Sequence, residues 1–196
     1  MGYLQRLARY AGRLFALLKF DGVQERDPAQ QTFGDPLGYG AIKHVNYHDI
    51  GSFSYEELFQ VARQLRLPRE DAIDLFRRMV FNHVATNHDD HSKNFGVMLE
   101  GTQWRLSPAY DVAFSYKPGN PWVEQHWMSL NGKRSDHSRA DFYALSDVHL
   151  SKVPRQEIDA IIDDVINAVA QWPQLAKENE VPETLADSIS SHLKLK

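Results

Sequence analysis

The chain has 196 residues, of which 42% are hydrophobic and 24% are charged, a composition typical of one globular domain or of one domain with part of a second. These figures argue against a disordered, collagen-like or disulfide-rich protein, and the absence of cysteine excludes iron–sulfur clusters, cysteine–zinc sites and thiol nucleophiles. A formal net charge of −4 gives no basic footprint, so we expect no direct binding to nucleic acid. No apolar run is long enough for a transmembrane segment, and we expect a cytoplasmic protein.

Residues 1–20 carry four basic side chains and no acidic one, with apolar residues at helical spacing. This pattern predicts a basic amphipathic helix that packs on its own domain, lies on a membrane surface or contacts a partner. Residues 13–20 fit a buried strand equally well, because a short apolar run does not distinguish the two. Residues 21–40 are rich in Asp, Gln, Gly and Pro and predict a long loop.

Two helices are predicted in the middle of the chain. Ser54 and Glu57 form a capping-box pattern that opens a helix over about residues 55–66. Pro68 suits the first position of a second helix, which runs to about Thr86. The second helix is apolar on most of its surface, so we expect it at the centre of the core.

A β-hairpin and two more helices are predicted after these. Residues 95–99 and 104–106 read as strands joined by a turn over residues 100–103. Pro154 opens a long helix with an apolar stripe that extends to Trp172, and Pro182 opens a last helix. The chain is therefore expected to be mainly helical with a small hairpin.

The most informative segment is NHDDHSKN at residues 87–94, which places many polar groups directly after a buried helix. One interpretation is a metal site, and its plausible ligands are His83, His88, Asp89, Asp90 and His91. His88 and His91 lie three residues apart without the glutamate that a helical zinc motif carries, so the spacing fits zinc only loosely. A metal-dependent hydrolase would follow from this interpretation.

A structural interpretation is also open, because Asp and Asn commonly close loops and cap helices. Asp90 and Ser92 are expected to be solvated or capping residues on this view. His44, His126 and His192, which lie outside the segment, are likewise expected to have no functional role.

The third interpretation is phosphoryl transfer. In protein kinases a catalytic Asp is followed five residues later by a metal-binding Asn. A metal-binding Asp then follows beyond a hairpin. Asn94 lies five residues after Asp89, and Asp111 comes after the predicted hairpin. The pattern departs from ordinary kinases, because Asn87 stands where His is usual, Asp111 lies in Tyr-Asp-Val, and the sequence has no glycine-rich phosphate loop.

These residues resemble a known family. NHDDHSKNF at 87–95 followed by WRLSPAYDV at 104–112 is similar to the signature of HipA-type serine/threonine kinases, the toxin kinases of bacterial toxin–antitoxin pairs. FRRMVFN at 76–82 and MSLNGKR at 128–134 also resemble segments of this family. The resemblance covers roughly residues 40–175 and is most specific over residues 80–112.

The resemblance implies roles for residues of the loop and of the segment after the hairpin. Asp89 matches the catalytic aspartate, and Asn94 and Asp111 match the magnesium ligands, with ATP as the phosphoryl donor. His91 and Lys93 match polar positions near the phosphates.

The resemblance also extends to LLKFD at residues 17–21, which is similar to the inter-lobe segment that lines the adenine pocket. Lys19 and Phe20 would then contact the nucleotide, and this favours the strand alternative for residues 13–20. Gly22 stands where an arginine is usual after Phe-Asp, so this match departs from the family's pattern at that position.

The resemblance implies a mainly α (α+β) fold, a protein-kinase-like C-terminal helical lobe with a small β-hairpin at the active-site edge. Family members are about twice this length, so the chain is expected to lack the N-terminal lobe that supplies the phosphate-gripping lysine. We expect residues 1–50 to form an N-terminal helix or strand, the inter-lobe link and a loop, and residues 51–196 to form the helical lobe. The chain is then either a toxin kinase acting on an unidentified protein substrate, or an inactive module that pairs with an antitoxin or an N-terminal-lobe protein.

Overall fold

The computed structural model describes residues 53–100 and 102–196, together with the short strand β1 (Gln30–Thr32). The predictions for residues 1–20, including the nucleotide-binding roles of Lys19 and Phe20, lie outside the described residues. The proposed division of the chain near residue 50 also stays a prediction.

Helix α1 (Tyr55–Gln64) begins where its capping box predicts. The Glu57 backbone N–H donates to Ser54 Oγ at 3.2 Å, and the Ser54 N–H donates to Glu57 Oε2 at 2.9 Å. These two bonds satisfy backbone donors that the first helical turn leaves without partners. The helix ends two residues before its predicted end, and it buries Tyr55, Leu58, Phe59 and Ala62.

Helix α2 (Arg69–Val84) is the centre of the core, as predicted. Its Leu75, Phe76, Met79 and Val80 side chains have no solvent exposure. Burying each such side chain contributes about 1.5–3 kcal/mol, so this helix is fixed in position by packing on several sides. It also ends near the predicted residue, and this end carries the polar segment.

The hairpin consists of β2 (Gly96–Glu100) and β3 (Gln103–Leu106), which pair antiparallel with Val97 opposite Leu106. Two parallel bonds join the Arg105 guanidinium to the Asp71 carboxylate at 2.8 and 2.9 Å, and the Leu106 N–H donates to the same carboxylate. Because Asp71 lies in the first turn of α2, these bonds fix the hairpin to the start of that helix.

Strand β1 pairs antiparallel with the other side of β2, with Gln31 opposite Val97. The prediction of a loop throughout residues 21–40 is therefore wrong at these three residues. The sequence Gln-Gln-Thr has no alternation of apolar and polar residues, so it gives no strand pattern. The strand is defined by its backbone pairing with β2.

Four helices follow the hairpin: α3 (Arg139–His149), α4 (Arg155–Val169), α5 (Trp172–Glu178) and α6 (Glu183–Ser190). Helix α3 was not predicted, although Ser138 and Asp141 form a capping box at its start. Helix α4 packs against α2, as its apolar stripe predicts. Trp172 is buried but belongs to α5, so the predicted stripe spans two helices.

The described part of the chain is thus a helical body with a small antiparallel sheet at one side. None of its helices combines the length and the apolar character needed to cross a membrane.

Candidate active site

The end of α2 directs the chain into the polar segment. Thr86 adopts a left-handed backbone conformation with φ of 56°, which costs a β-branched residue about 1–3 kcal/mol and persists only where other contacts enforce it. The enforcing contacts come from the C-terminal residues. Thr86 Oγ1 donates to the His192 carbonyl at 2.6 Å, and the Lys194 N–H donates to the Val84 carbonyl at 2.9 Å.

Asp90 anchors the loop that follows. Its carboxylate accepts hydrogen bonds from the Tyr55 hydroxyl at 2.7 Å, the Trp127 backbone N–H at 2.7 Å and His126 Nδ1 at 2.9 Å. The Tyr55 oxygen accepts a further bond from Asn82 Nδ2 at 3.1 Å. This buried network ties the loop to α1, to α2 and to the segment around residue 127.

Asp90 and Ser92 are expected to be solvated or capping residues, and the solvated alternative is wrong, because they are only 1% and 2% exposed. Burial raises the pKa of the Asp90 carboxyl, and the nearby His83 and the hydrogen-bond donors oppose this rise only in part. A buried carboxylate that accepts several hydrogen bonds holds the segments that carry its donors in one arrangement. Asp90 is therefore an anchor of the loop.

Asp89, the adjacent residue, has the opposite environment. Its side chain is 45% exposed, and its Oδ1 lies 3.7 Å from Nε2 of His91. One ligand atom from each of Asp89, His91 and Asp111 lies within 4.8 Å of the other two. Partial burial raises the pKa of Asp89; His91 opposes the rise, and the Asp111 and Asp90 carboxylates add to it.

Asn94 closes the loop from its other end. The residue ends a short 3₁₀ turn (Ser92–Asn94), and its Nδ2 donates to the backbone carbonyl of Asp89 at 2.8 Å. The amide nitrogen is thereby engaged, and the carboxamide oxygen remains as the acceptor of this side chain. Lys93 is partly buried in the same turn.

Asp111 returns to the loop although it lies more than twenty residues from Asp89 in the sequence. The Tyr110 hydroxyl donates to the Lys93 carbonyl at 2.6 Å. Ser115 pairs alongside the loop, since its carbonyl accepts from the His88 N–H and its own N–H donates to the Thr86 carbonyl, both at 3.1 Å. The two attachments hold residues 110–115 against the loop.

The structure therefore brings Asp89, Asp111 and His91 together, and it places Asn94 next to them through the backbone of Asp89. The functional roles predicted for these residues and for Lys93 stay predictions. Sequence reasoning missed the anchoring role of Asp90. The signal was the pair of consecutive aspartates after a buried helix, where the backbone direction turns adjacent side chains to opposite sides.

Comparison with known proteins gives the family. The model of the HipA-like C-terminal domain matches residues 4–172, and the chain belongs to this family. The predicted resemblance to HipA-type proteins is thereby confirmed.

Two individual proteins extend this result. The chain is 25% identical over 186 residues to "Putative kinase Y4mE" of Sinorhizobium fredii (strain NBRC 101917 / NGR234), an alignment that covers 89% of this chain and 43% of that protein. It is also similar to HipA of the toxin–antitoxin system of Shewanella oneidensis MR-1, solved with HipB and its operator DNA. That match has a TM-score of 0.53 and 20% identity, and it covers 71% of this chain and 33% of the other.

At this identity the structural match shows the fold, and the predicted class, a mainly helical kinase-like C-terminal lobe with a small hairpin, is confirmed. The chain spans less than half the length of the curated relative that it matches.

Proposed function

We propose that this chain is the C-terminal lobe of a HipA-type serine/threonine kinase, the toxin component of a toxin–antitoxin pair, which uses ATP and magnesium. The observation that carries the proposal is the approach of the Asp89 and Asp111 carboxylates and His91 to within 4.8 Å of one another. Spacing in the sequence and proximity in the fold agree on the same two aspartates. A capping role does not require two carboxylates from distant segments to approach each other.

The chemistry of these donors fits magnesium. Mg²⁺ prefers oxygen ligands, keeps several waters and is commonly held by one or two carboxylates together with the substrate phosphates. Asp111 and the carboxamide oxygen of Asn94 would hold the ion, and His91 would remain outside its oxygen shell. The bound ion would neutralise charge on the transferred phosphoryl group.

Asp89 would orient the hydroxyl group of the substrate and accept its proton. A general base must come within hydrogen-bond reach of the proton that it accepts, and the Asp89 side chain is 45% exposed beside the Asp111 carboxylate. The anchoring of Asp90 fixes the backbone beside Asp89, which keeps the base in one place. Lys93 and His91 would face the phosphates, and Lys19 and Phe20 would contact the adenine ring.

A second candidate is an inactive module that binds an antitoxin or a separate N-terminal-lobe protein. One fact favours it: the solved HipA neighbour is assembled with HipB. Phosphoryl transfer depends on positioning and charge neutralisation, so nucleotide binding distinguishes this candidate from the first.

Calorimetry with magnesium and ATP, followed by transfer of labelled γ-phosphate, tests the first proposal. We expect the purified chain to bind Mg–ATP and Asp111→Asn to weaken this binding. Asp89→Asn should keep binding and lose at least about 100-fold in transfer rate, because general-base catalysis contributes about 10²–10⁴-fold. Asp187→Asn, a change at an exposed carboxylate on α6, is the matched control.

Equal transfer rates in Asp89→Asn and the control would overturn the assignment of the base. A folded chain that binds no Mg–ATP would favour the second candidate. Co-purification with an antitoxin-like protein under these conditions would then support the binding module.

A further inference from the structure

A second cluster of side chains lies on the buried side of Asp90. His83, His88, His126 and His137 are among the residues that line a cavity of about 360 Å³. The ring centroid of His83 lies 4.1 Å from that of His126 and 4.3 Å from that of His137. One ring nitrogen from each of these three histidines lies within 4.8 Å of the other two.

Hydrogen bonds assign the tautomer of each ring, because carbonyl and carboxylate oxygens only accept. His83 Nδ1 donates to the Met79 carbonyl at 2.8 Å, and His126 Nδ1 donates to Asp90 Oδ2 at 2.9 Å. His137 Nε2 donates to the Lys133 carbonyl at 3.1 Å. In a neutral ring the other nitrogen carries a lone pair, so each histidine has one remaining acceptor.

The remaining nitrogen of His83 has an unusual environment. Its Nε2 is buried and has no hydrogen-bond partner among the described residues. His83 as a whole is only 4% exposed, so solvent does not supply a partner either. Leaving a buried polar atom unsatisfied costs about 1–3 kcal/mol, so such an atom calls for a partner. A ligand shared with the neighbouring histidines would supply that partner.

Burial lowers the pKa of both His83 and His126 well below the usual histidine value, and the charges of neighbouring residues act in the same direction on His126. Burial also lowers the pKa of His137. Burial thus disfavours the charged form of each ring, and neutral imidazole is the form that coordinates metal ions.

We propose that His83, His126 and His137 form a binding site for a divalent transition-metal ion of the zinc class. His83 and His126 bind through Nε2 and His137 through Nδ1. Three histidines with a fourth position open to a cavity form one of the known zinc arrangements, and nitrogen donors select zinc over magnesium.

The surroundings of these histidines also match a metal site. In metal sites a ligating histidine commonly donates its other N–H to a carboxylate or a backbone carbonyl, which fixes the ring and strengthens it as a ligand. His126 donates to Asp90, and His83 and His137 donate to carbonyls, so all three rings have this support. The site does not depend on phosphoryl transfer by the chain.

Binding requires a defined rearrangement. Zinc–nitrogen bonds of about 2.0–2.1 Å place tetrahedral ligand nitrogens roughly 3.3 Å apart, so any pair of ring nitrogens that lies farther apart must move closer together. The His83 and His126 rings are stacked with an interplanar angle of 23°, and ring lone pairs lie in the ring planes. One of these rings must therefore turn. His137 lies in the loop before α3 and is partly exposed, so it has room to move toward the others.

The test uses the full chain, purified without a histidine tag and treated with chelator. We expect zinc to bind at one equivalent in calorimetry, and cobalt to give the visible absorption bands of a four-coordinate site. His83→Gln, His126→Gln and His137→Gln should each weaken affinity more than about 100-fold, since loss of a supporting residue alone costs about 10–100-fold. His149→Gln, a histidine packed on Phe59, is the matched control and should bind as the unchanged chain does.

His137→Gln is the decisive variant, because its partly exposed side chain can be replaced without opening the core. Circular dichroism verifies that each variant is folded. Zinc should raise the Tm of the unchanged chain and of His149→Gln, and leave that of His137→Gln unchanged. The absence of stoichiometric binding, or equal affinity in His137→Gln and the control, would overturn the proposal and leave the cluster as a packed aromatic core.

Discussion

Asp89 and Asp90 are neighbours in the sequence, yet they belong to two different kinds of site. Asp89 is half-exposed and meets a second carboxylate, so its surroundings are rich in oxygen. Asp90 is buried against His126, and its side of the loop is rich in ring nitrogen. Consecutive residues on one loop can thus have separate roles: Asp89 is available to a substrate, and Asp90 holds the loop in place. Substitutions at the two positions should therefore have different consequences.

The largest expected effect on stability is at Asp90. Asp90→Ala leaves the Tyr55 hydroxyl, the Trp127 N–H and His126 Nδ1 without their buried acceptor. Each buried donor left unsatisfied costs about 1–3 kcal/mol in the free energy of unfolding, and here three donors lose their acceptor at once. Urea denaturation measures this change. Asp89→Ala is the comparison and should cost less than about 1 kcal/mol, so equal losses at the two positions would break the contrast.

A smaller loss is expected from Tyr55→Phe. This change removes one donor to Asp90 and also leaves the Asn82 amide without its acceptor. The expected decrease in the free energy of unfolding is about 1–3 kcal/mol, the range for an unsatisfied buried polar group. Tyr116→Phe is the matched control, and it should change stability by less than about 0.5 kcal/mol because its ring contacts remain. A Tyr55→Phe variant as stable as this control would show that the network is dispensable.

The smallest effect concerns pH. A raised pKa means that the folded chain binds the Asp89 proton more tightly than the unfolded chain does. The resulting stability is present below the unfolded pKa and is lost as the pH rises through the folded pKa. Between about pH 4 and neutrality the unchanged chain should thus lose stability relative to Asp89→Asn. Thermal unfolding of both proteins across this range measures the difference, and parallel curves would contradict the raised pKa.

Local signals account for the features that could be predicted from the sequence. The capping box at Ser54 and Glu57 predicts the start of α1, and the apolar surface of α2 predicts its central place. The spacing of Asp89 and Asp111 around a hairpin predicts that they approach each other, and their side chains do lie close together. Their roles in phosphoryl transfer stay predictions.

Features that depend on distant partners could not be predicted in this way. Strand β1 has a polar sequence and is defined by its pairing with β2, so its own residues give no strand pattern. His126 carries no local motif, and its position beside His83 arises from packing between segments more than forty residues apart. Helix α3 differs from these two, because Ser138 and Asp141 form a capping-box pattern in the sequence, which is a local signal for the start of this helix.

The bonds from residues 192–194 to the end of α2 have a consequence for how the protein is made. Val84 and Thr86 precede the loop that carries Asp89, and their partners are His192 and Lys194, more than a hundred residues later. A ribosome synthesises the chain from its N-terminus at about 5–20 residues per second, so α1 and α2 exist for several seconds before these partners emerge. The hydrogen bonds of Val84 and Thr86 to residues 192–194 therefore form only after residue 194 is made. Until then the loop that carries Asp89 lacks these contacts at its start.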